Sequence, residues 1–299
     1  MKSNKFFFRK VLAILSFCLT GSAMAGPIII AGTDADDHGG QSGGVNLTGW
    51  SFMQKAFENI GANVTNGNKT IVCLGCNGST ASSAFNSATS LSSLAGGWTF
   101  MSVTGAANIG SFFASDLAST GIIYMPTVSN NVGGGILDSE LAVINGNGTA
   151  LNNFVAGGGG LFTQEQANST IGYGWLSSLL PGFTVMGDNT GGITNSSQLQ
   201  LTADGNAAFP GLTNTDLSNA TPWHAWFTNY GSGLKVLAVG NGDGGFDDAV
   251  VLGGGIGGVI ACGQPGQPAC PTNDVPEPAS LSLLAAGFGL LAWRRKERV

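Results

Sequence analysis

The sequence predicts an α/β fold: an open, three-layer, mostly parallel sheet, a β-rich C-terminal part, and a transmembrane helix at the end. Three observations predict it. The short, continuous apolar run from Gly26 to Gly32 reads as a strand buried on both faces, and Ile71 to Leu74, Gly121 to Pro126 and Leu161 to Thr163 read as the strands that follow it. Segments with helical apolar spacing alternate with them, as in crossover units. Beyond Phe183 the helical spacing gives way to short strand-like runs divided by Asn, Gly and Asp.

In chain order, Gly26 to Gly32 is the first strand, ended by glycine and acidic turn residues, and a Gly-rich loop from Thr33 to Thr48 follows. Trp50, Met53, Phe57 and Ile60 recur at helical spacing, which predicts a helix from Gly49 to Asn59 with Gly61 as its stop. Ile71 to Leu74 is the second strand. Asn77 to Gly97 is rich in Ser, Ala, Thr and Asn and reads as a loop with a poor helix. Phe112, Phe113 and Leu117 predict a short helix before the third strand, Gly121 to Pro126. Leu137, Leu141, Ile144, Leu151 and Phe154 mark helices interrupted at Gly146-Asn147-Gly148, and Leu161 to Thr163 is the next strand. The β-rich part comprises Phe183 to Met186, Leu199 to Thr202, Leu234 to Val239, Ala249 to Leu252 and Val259 to Cys262.

Both ends of the chain are addressing segments. Lys2, Lys5, Arg9 and Lys10 precede an apolar core from Val11 to Leu19 and a small-x-small site at Ala23-Met24-Ala25, so residues 1–25 predict a secretory signal peptide. At the other end, residues 271–275 are a linker and residues 276–299 form a tripartite tail. Pro276-Glu277-Pro278 comes first, then the apolar run 279–293, then the basic cluster Arg294, Arg295, Lys296 and Arg298. The run is fifteen residues long, a marginal transmembrane helix whose basic flank keeps to the cytoplasmic side. A buried core helix is the alternative, but between Leu281 and Trp293 only Ser282 is polar, which leaves no solvated face.

The order and spacing of this tail resemble the PEP-CTERM sorting signal of Gram-negative bacteria. The resemblance implies export, residence in the inner membrane by a single C-terminal helix, and processing by an exosortase near Pro276-Glu277-Pro278. It also implies exosortase and the secretion machinery as partners, delivery to the outer surface or extracellular matrix, and extracellular polysaccharide as a neighbour. The expected function is an exported envelope or matrix protein with a non-catalytic binding or structural domain over 26–270. Within that domain, three segments are similar in pattern to the class I glutamine amidotransferase-like branch of flavodoxin-like folds: the strand Ile28 to Thr33, the strand Gly121 to Pro126, and the helix-to-strand joint Asn152 to Phe162. The Gly-x-Cys-x-Gly elbow of that family's glutaminases is missing, so their activity is not implied.

Between Gly26 and Val275 the only bases are Lys55, Lys69 and Lys235, against fifteen Asp and Glu, which excludes nucleic acid as a partner. Outside the leader, Cys73, Cys76, Cys262 and Cys270 form two local pairs, read as two short disulfides in an oxidising compartment. A four-thiolate zinc centre is the competing reading. Redox chemistry at Cys73 and Cys76 is disfavoured because no helix-forming sequence follows to lower a thiol pKa.

Candidate chemistry concentrates in two acidic loops. Asp34, Asp36, Asp37 and His38 follow the first strand, where open α/β sheets bind ligands. They predict a divalent cation site, Ca2+ if oxygens dominate and a transition metal if His38 joins, or else a solvated turn. A metal-assisted hydrolase-like or amidotransferase-like enzyme would use this loop. Asp243, Asp247 and Asp248 form the second acidic loop, a calcium site or a plain hairpin connection. Gly40 to Gly44 matches Gly-x-Ser-x-Gly at Ser42, but a chain so rich in Gly and Ser matches that pattern by chance. Trp223 to Phe227 reads as a sugar-stacking platform or as core. His38 and His224 are the only histidines, so any imidazole chemistry belongs to them.

Overall fold

The structure, a computed structural model, describes residues 26–128, 133–165, 171–187, 198–219, 223–231, 233–241 and 245–255. It opens with β1 (Ile28–Ala31), buried along its whole length as the apolar run requires. The loop expected to follow contains a hairpin instead, β2 (Gly39–Ser42) and β3 (Val45–Thr48), turning through Gly43 and Gly44, both at positive φ. Two successive left-handed residues make a turn that glycine accommodates without strain.

Helix α1 (Gly49–Asn63) buries Phe52, Met53, Ala56, Phe57 and Ile60, the apolar stripe seen in the sequence. Gly61 does not stop it. A Cβ there would lie 2.7 Å from the Leu94 side chain, so this glycine is a point of close packing inside the helix. After β4 (Thr70–Leu74) comes α2 (Ser79–Ser90), a regular helix where the sequence predicts a loop with a poor one. Its buried residues, Ala81, Ala84, Phe85, Ala88 and Thr89, follow helical spacing, but the stripe is mostly alanine and therefore nearly silent in hydropathy.

The chain continues through β5 (Thr99–Val103), α3 (Ala106–Ser115), β6 (Ile122–Met125), α4 (Asp138–Gly146), α5 (Gly148–Ala156) and β7 (Gly160–Gln164). Next come α6 (Gly174–Leu179), β8 (Thr184–Gly187), β9 (Leu199–Leu201), α7 (Ala203–Ala208), α8 (Asn214–Ser218), β10 (Ala225–Thr228), β11 (Lys235–Gly240) and β12 (Asp248–Gly254). Strand β5 went unpredicted because its residues are half-exposed or exposed, at the edge of the sheet.

Among the described residues ten strands form one sheet, along the path β5-β4-β6-β7-β1-β12-β10-β8, with β11 on β12 and β9 on β11. From β5 to β1 every pairing is parallel, and from β12 onward every pairing is antiparallel. The expectation of a mostly parallel sheet is thus corrected to a mixed one, because the hairpin-forming C-terminal strands join the same sheet as its second half. The strand order also departs from the flavodoxin-like one, in which the first two strands are neighbours. Here β7 and β6 separate β1 from β4, since β1 hydrogen-bonds directly to β7 with Ile28 opposite Leu161.

Strand alternation fills two cores, giving the three layers. Ile29 and Ala31 face α1 and α2 together with Tyr124, Phe162, Phe209 and Trp223. Ile28 and Ile30 face the opposite layer, with Phe112, Leu141, Leu151, Val155 and Trp175. At the end of β4, Cys73 and Cys76 are joined as a disulfide, both buried. Their thiolates are therefore committed to each other and unavailable to the alternative zinc centre. That no helix follows them is also corrected, since α2 begins at Ser79. Cys262 and Cys270 lie outside the described residues.

Candidate metal centre

At the carboxyl end of β1 the chain makes one close approach that sets up everything beyond it. Gly32 donates its N–H to the Val250 carbonyl at 2.7 Å, and its own carbonyl accepts the N–H groups of His224 and Ala225, each at 2.9 Å. A Cβ on residue 32 would lie 1.8 Å from the Ala225 carbonyl oxygen, so only glycine fits. Thr33 then bridges Trp223, which draws the start of β10 alongside the residues leaving β1. Trp223 is fully buried over Gly240 and donates its Nε1–H to the Ala225 carbonyl at 2.8 Å.

Past Thr33 the backbone turns tightly, with the N–H groups of Asp37 and His38 donating to the Asp34 carbonyl at 2.9 and 3.3 Å. The turn puts the side chains of Asp34 and His38 on one side. The β2–β3 hairpin and α1 hold it there: Thr48 Oγ1 and the Gly49 N–H donate to the His38 carbonyl at 2.8 and 3.0 Å, and Trp50 Nε1 donates to the Asp36 carbonyl at 2.8 Å.

Three side chains converge. Asp34 Oδ2 lies 3.1 Å from His38 Nε2 and 3.0 Å from His224 Nε2, and one ligand-capable atom of each residue lies within 4.8 Å of the other two. The carboxylate is buried (1% exposed), whereas the two imidazoles are about a quarter exposed, at 25% and 27%. Burial alone would raise the Asp34 carboxyl. Hydrogen bonds and charge interactions with His224 and His38 outweigh that and hold its pKa below the ordinary value. The cluster therefore offers an ionised oxygen and two nitrogens, with a face open to solvent.

The remaining residues of the first acidic loop are placed elsewhere. Asp36 is fully buried, and Thr127 Oγ1 donates to its carboxyl oxygens at 3.4 and 3.5 Å. Desolvation, then the charges of Asp37 and Asp34, push its pKa well above the usual carboxylate range. Asp37 accepts the Gly133 N–H at 3.3 Å, and its pKa is raised by burial and by the Asp34 charge. Glu165, just beyond β7, is fully buried with Thr163 Oγ1 donating to it at 2.5 Å, and burial pushes its pKa up to about 8.

Of the first acidic loop, then, Asp34 and His38 join the cluster and Asp36 and Asp37 do not. His224 completes it, a residue that sequence reading assigned to an aromatic stretch. The available signal was that His38 and His224 are the chain's only imidazoles. In the second acidic loop Asp247 lies in the connection between β11 and β12, and Asp248 starts β12 opposite Gly240. Asp243 is outside the described residues. Ser42 ends β2 on an exposed hairpin, which overturns a strand-to-helix nucleophile elbow. Trp223 and Phe227 are core, and Trp226 is only partly buried, edge-on to Trp223 at 6.4 Å between ring centroids.

Among the described residues no helix is long and apolar enough to cross a membrane. The run 279–293, Pro276-Glu277-Pro278 and the basic cluster lie outside them. A family model described as the PEP-CTERM protein-sorting motif matches residues 274–296. No curated protein and no solved structure matches the chain.

Proposed function

We propose that this exported protein, addressed by its PEP-CTERM motif to an exosortase, carries a domain that binds one divalent transition-metal ion through Asp34, His38 and His224. The observation that supports it is the convergence of two imidazole nitrogens on one buried carboxylate oxygen, at 3.0 and 3.1 Å. Ligands bonded to zinc at about 2.0–2.1 Å stand about 3.3 Å apart in a tetrahedral shell, close to the spacing of the Asp34 oxygen from each imidazole nitrogen, and all three ligand atoms lie within 4.8 Å of one another. Two nitrogen donors favour zinc or a similar metal over calcium, which prefers six to eight oxygens. Three protein ligands and a solvent-facing side leave coordination positions for water or an exchangeable ligand. Catalytic zinc sites share that arrangement, whereas structural sites close all four positions. This feature supports the metal-assisted hydrolase reading beside simple ligand binding. Delivery to the envelope or matrix, and any polysaccharide contact there, belong to the same proposal.

The test is metal content by mass spectrometry, with titration of the purified protein by zinc and by cobalt. One ion per chain is expected. Asp34→Asn, His38→Ala and His224→Ala should each lower affinity by more than the ~100-fold that losing a merely supporting partner costs, with far-ultraviolet circular dichroism unchanged. A wild-type protein that takes up neither metal overturns the reading. Export is checked separately from the mass of the mature ends. An N-terminus at Gly26 and a C-terminus close to Pro276-Glu277-Pro278 are expected in cells with exosortase, and an uncut tail in cells lacking it.

A further inference from the structure

We propose that Gln164, anchored by Tyr124, is the positioning residue that fixes Asp34 in the geometry a metal ion needs; the inference rests on the metal reading above. Gln164 is fully buried at the end of β7, in register with Ala31. Its Oε1 accepts the Ala35 backbone N–H at 2.6 Å and the Thr33 hydroxyl at 3.2 Å, the residues on either side of Asp34. A backbone N–H can only donate, so the amide oxygen must face this turn and Nε2 must face away from it. Nε2 donates to the Tyr124 hydroxyl at 2.6 Å.

Tyr124 is itself immobilised. It is buried among Phe57, Phe85 and Phe162, with ring centroids 5.3, 5.9 and 5.1 Å away. The clamp thus runs across three neighbouring strands, from β6 through β7 to the residues leaving β1. Asp34 and His38 both sit on that clamped turn. Ligand sites require side chains held to about 0.5 Å, and supporting hydrogen bonds of this kind provide it.

Gln164→Met preserves size and removes all three side-chain hydrogen bonds. In the cobalt-loaded protein it is expected to weaken cobalt affinity 10- to 100-fold and to change the visible d–d spectrum. Tyr124→Phe, which frees only Nε2, should move both readouts less and in the same direction, and it keeps the test alive if Gln164→Met does not fold. Leu151→Ala, in α5 on the opposite core, serves as a variant that loses stability without touching the clamp. An unchanged spectrum and affinity in both Gln164→Met and Tyr124→Phe overturns the positioning role and leaves the metal reading standing. Equal losses in Leu151→Ala also overturn it, because affinity would then follow stability alone. Failure of the wild-type protein to bind cobalt removes the metal reading first, and this inference with it.

Discussion

Gly32→Ala is expected to destabilise the domain by about 3–5 kcal/mol and to abolish tight metal binding together. An added Cβ would sit 1.8 Å from the Ala225 carbonyl oxygen and 2.5 Å from its carbon, both backbone atoms that cannot swing aside. Relief requires the segment 223–225 to move away from β1. That sacrifices two hydrogen bonds to the Gly32 carbonyl, at about 1 kcal/mol each, on top of an overpacking cost of about 1–3 kcal/mol. His224 moves with that segment and leaves Asp34. Gly205→Ala makes a comparable clash with the Leu237 carbonyl, at 1.9 Å, and Gly205 belongs to α7, outside the ligand set. Urea unfolding and zinc titration of both variants separate the effects: Gly205→Ala should lose stability and keep affinity in the folded fraction. Wild-type stability and affinity in Gly32→Ala would contradict the close approach.

Glu165→Gln is expected to stabilise the protein by about 3 kcal/mol at pH 7. The carboxyl has an ordinary value of 4.5 and is pushed by burial to about 8 in the fold. Between those values the native state holds a proton that the unfolded chain has released, so folding takes up a proton. Stability from this group is therefore fully present below pH 4.5 and falls as pH rises toward 8, by at most about 5 kcal/mol in total. Glutamine stays neutral throughout, and its Oε1 can still accept from Thr163. Urea midpoints at pH 5 and pH 8 check this. The two proteins should nearly coincide at the lower pH and diverge at the higher one, and parallel curves would refute a buried neutral Glu165.

How much of this was legible in the sequence depends on how each residue earns its place. Strands β1, β4, β6 and β7 are buried on both faces, so continuous apolar runs revealed them. Helix α1 was legible through its Phe, Met and Ile stripe. Helix α2 buries alanines, whose small hydrophobic signal is lost among Ser and Thr, and β5 lies on an edge where little burial selects its residues. The parallel half was legible as strand and helix alternation, but strand order was not, because which strands pair is decided by contacts such as Ile28 with Leu161, more than a hundred residues apart. The site divides the same way. Asp34 and His38 are local to one turn and stood out. His224 reaches them only through the Gly32 approach, and Gln164 and Tyr124 are buried residues of β7 and β6, where composition reads as core.

One further consequence follows from the pairing of β1 with β12. Ile28, near the first of the described residues, stands opposite Gly254, near the last of them, and the two strands run in opposite directions. Tension drawn between the two tails would pull at the same end of that pair, so the backbone hydrogen bonds would open one after another, as in a zipper, and not share the load as in shear. The seam joining the two halves of the sheet is therefore loaded in its unzipping direction, and it runs from Ile28 and Gly254 toward Gly32 and the proposed metal ligands beyond it.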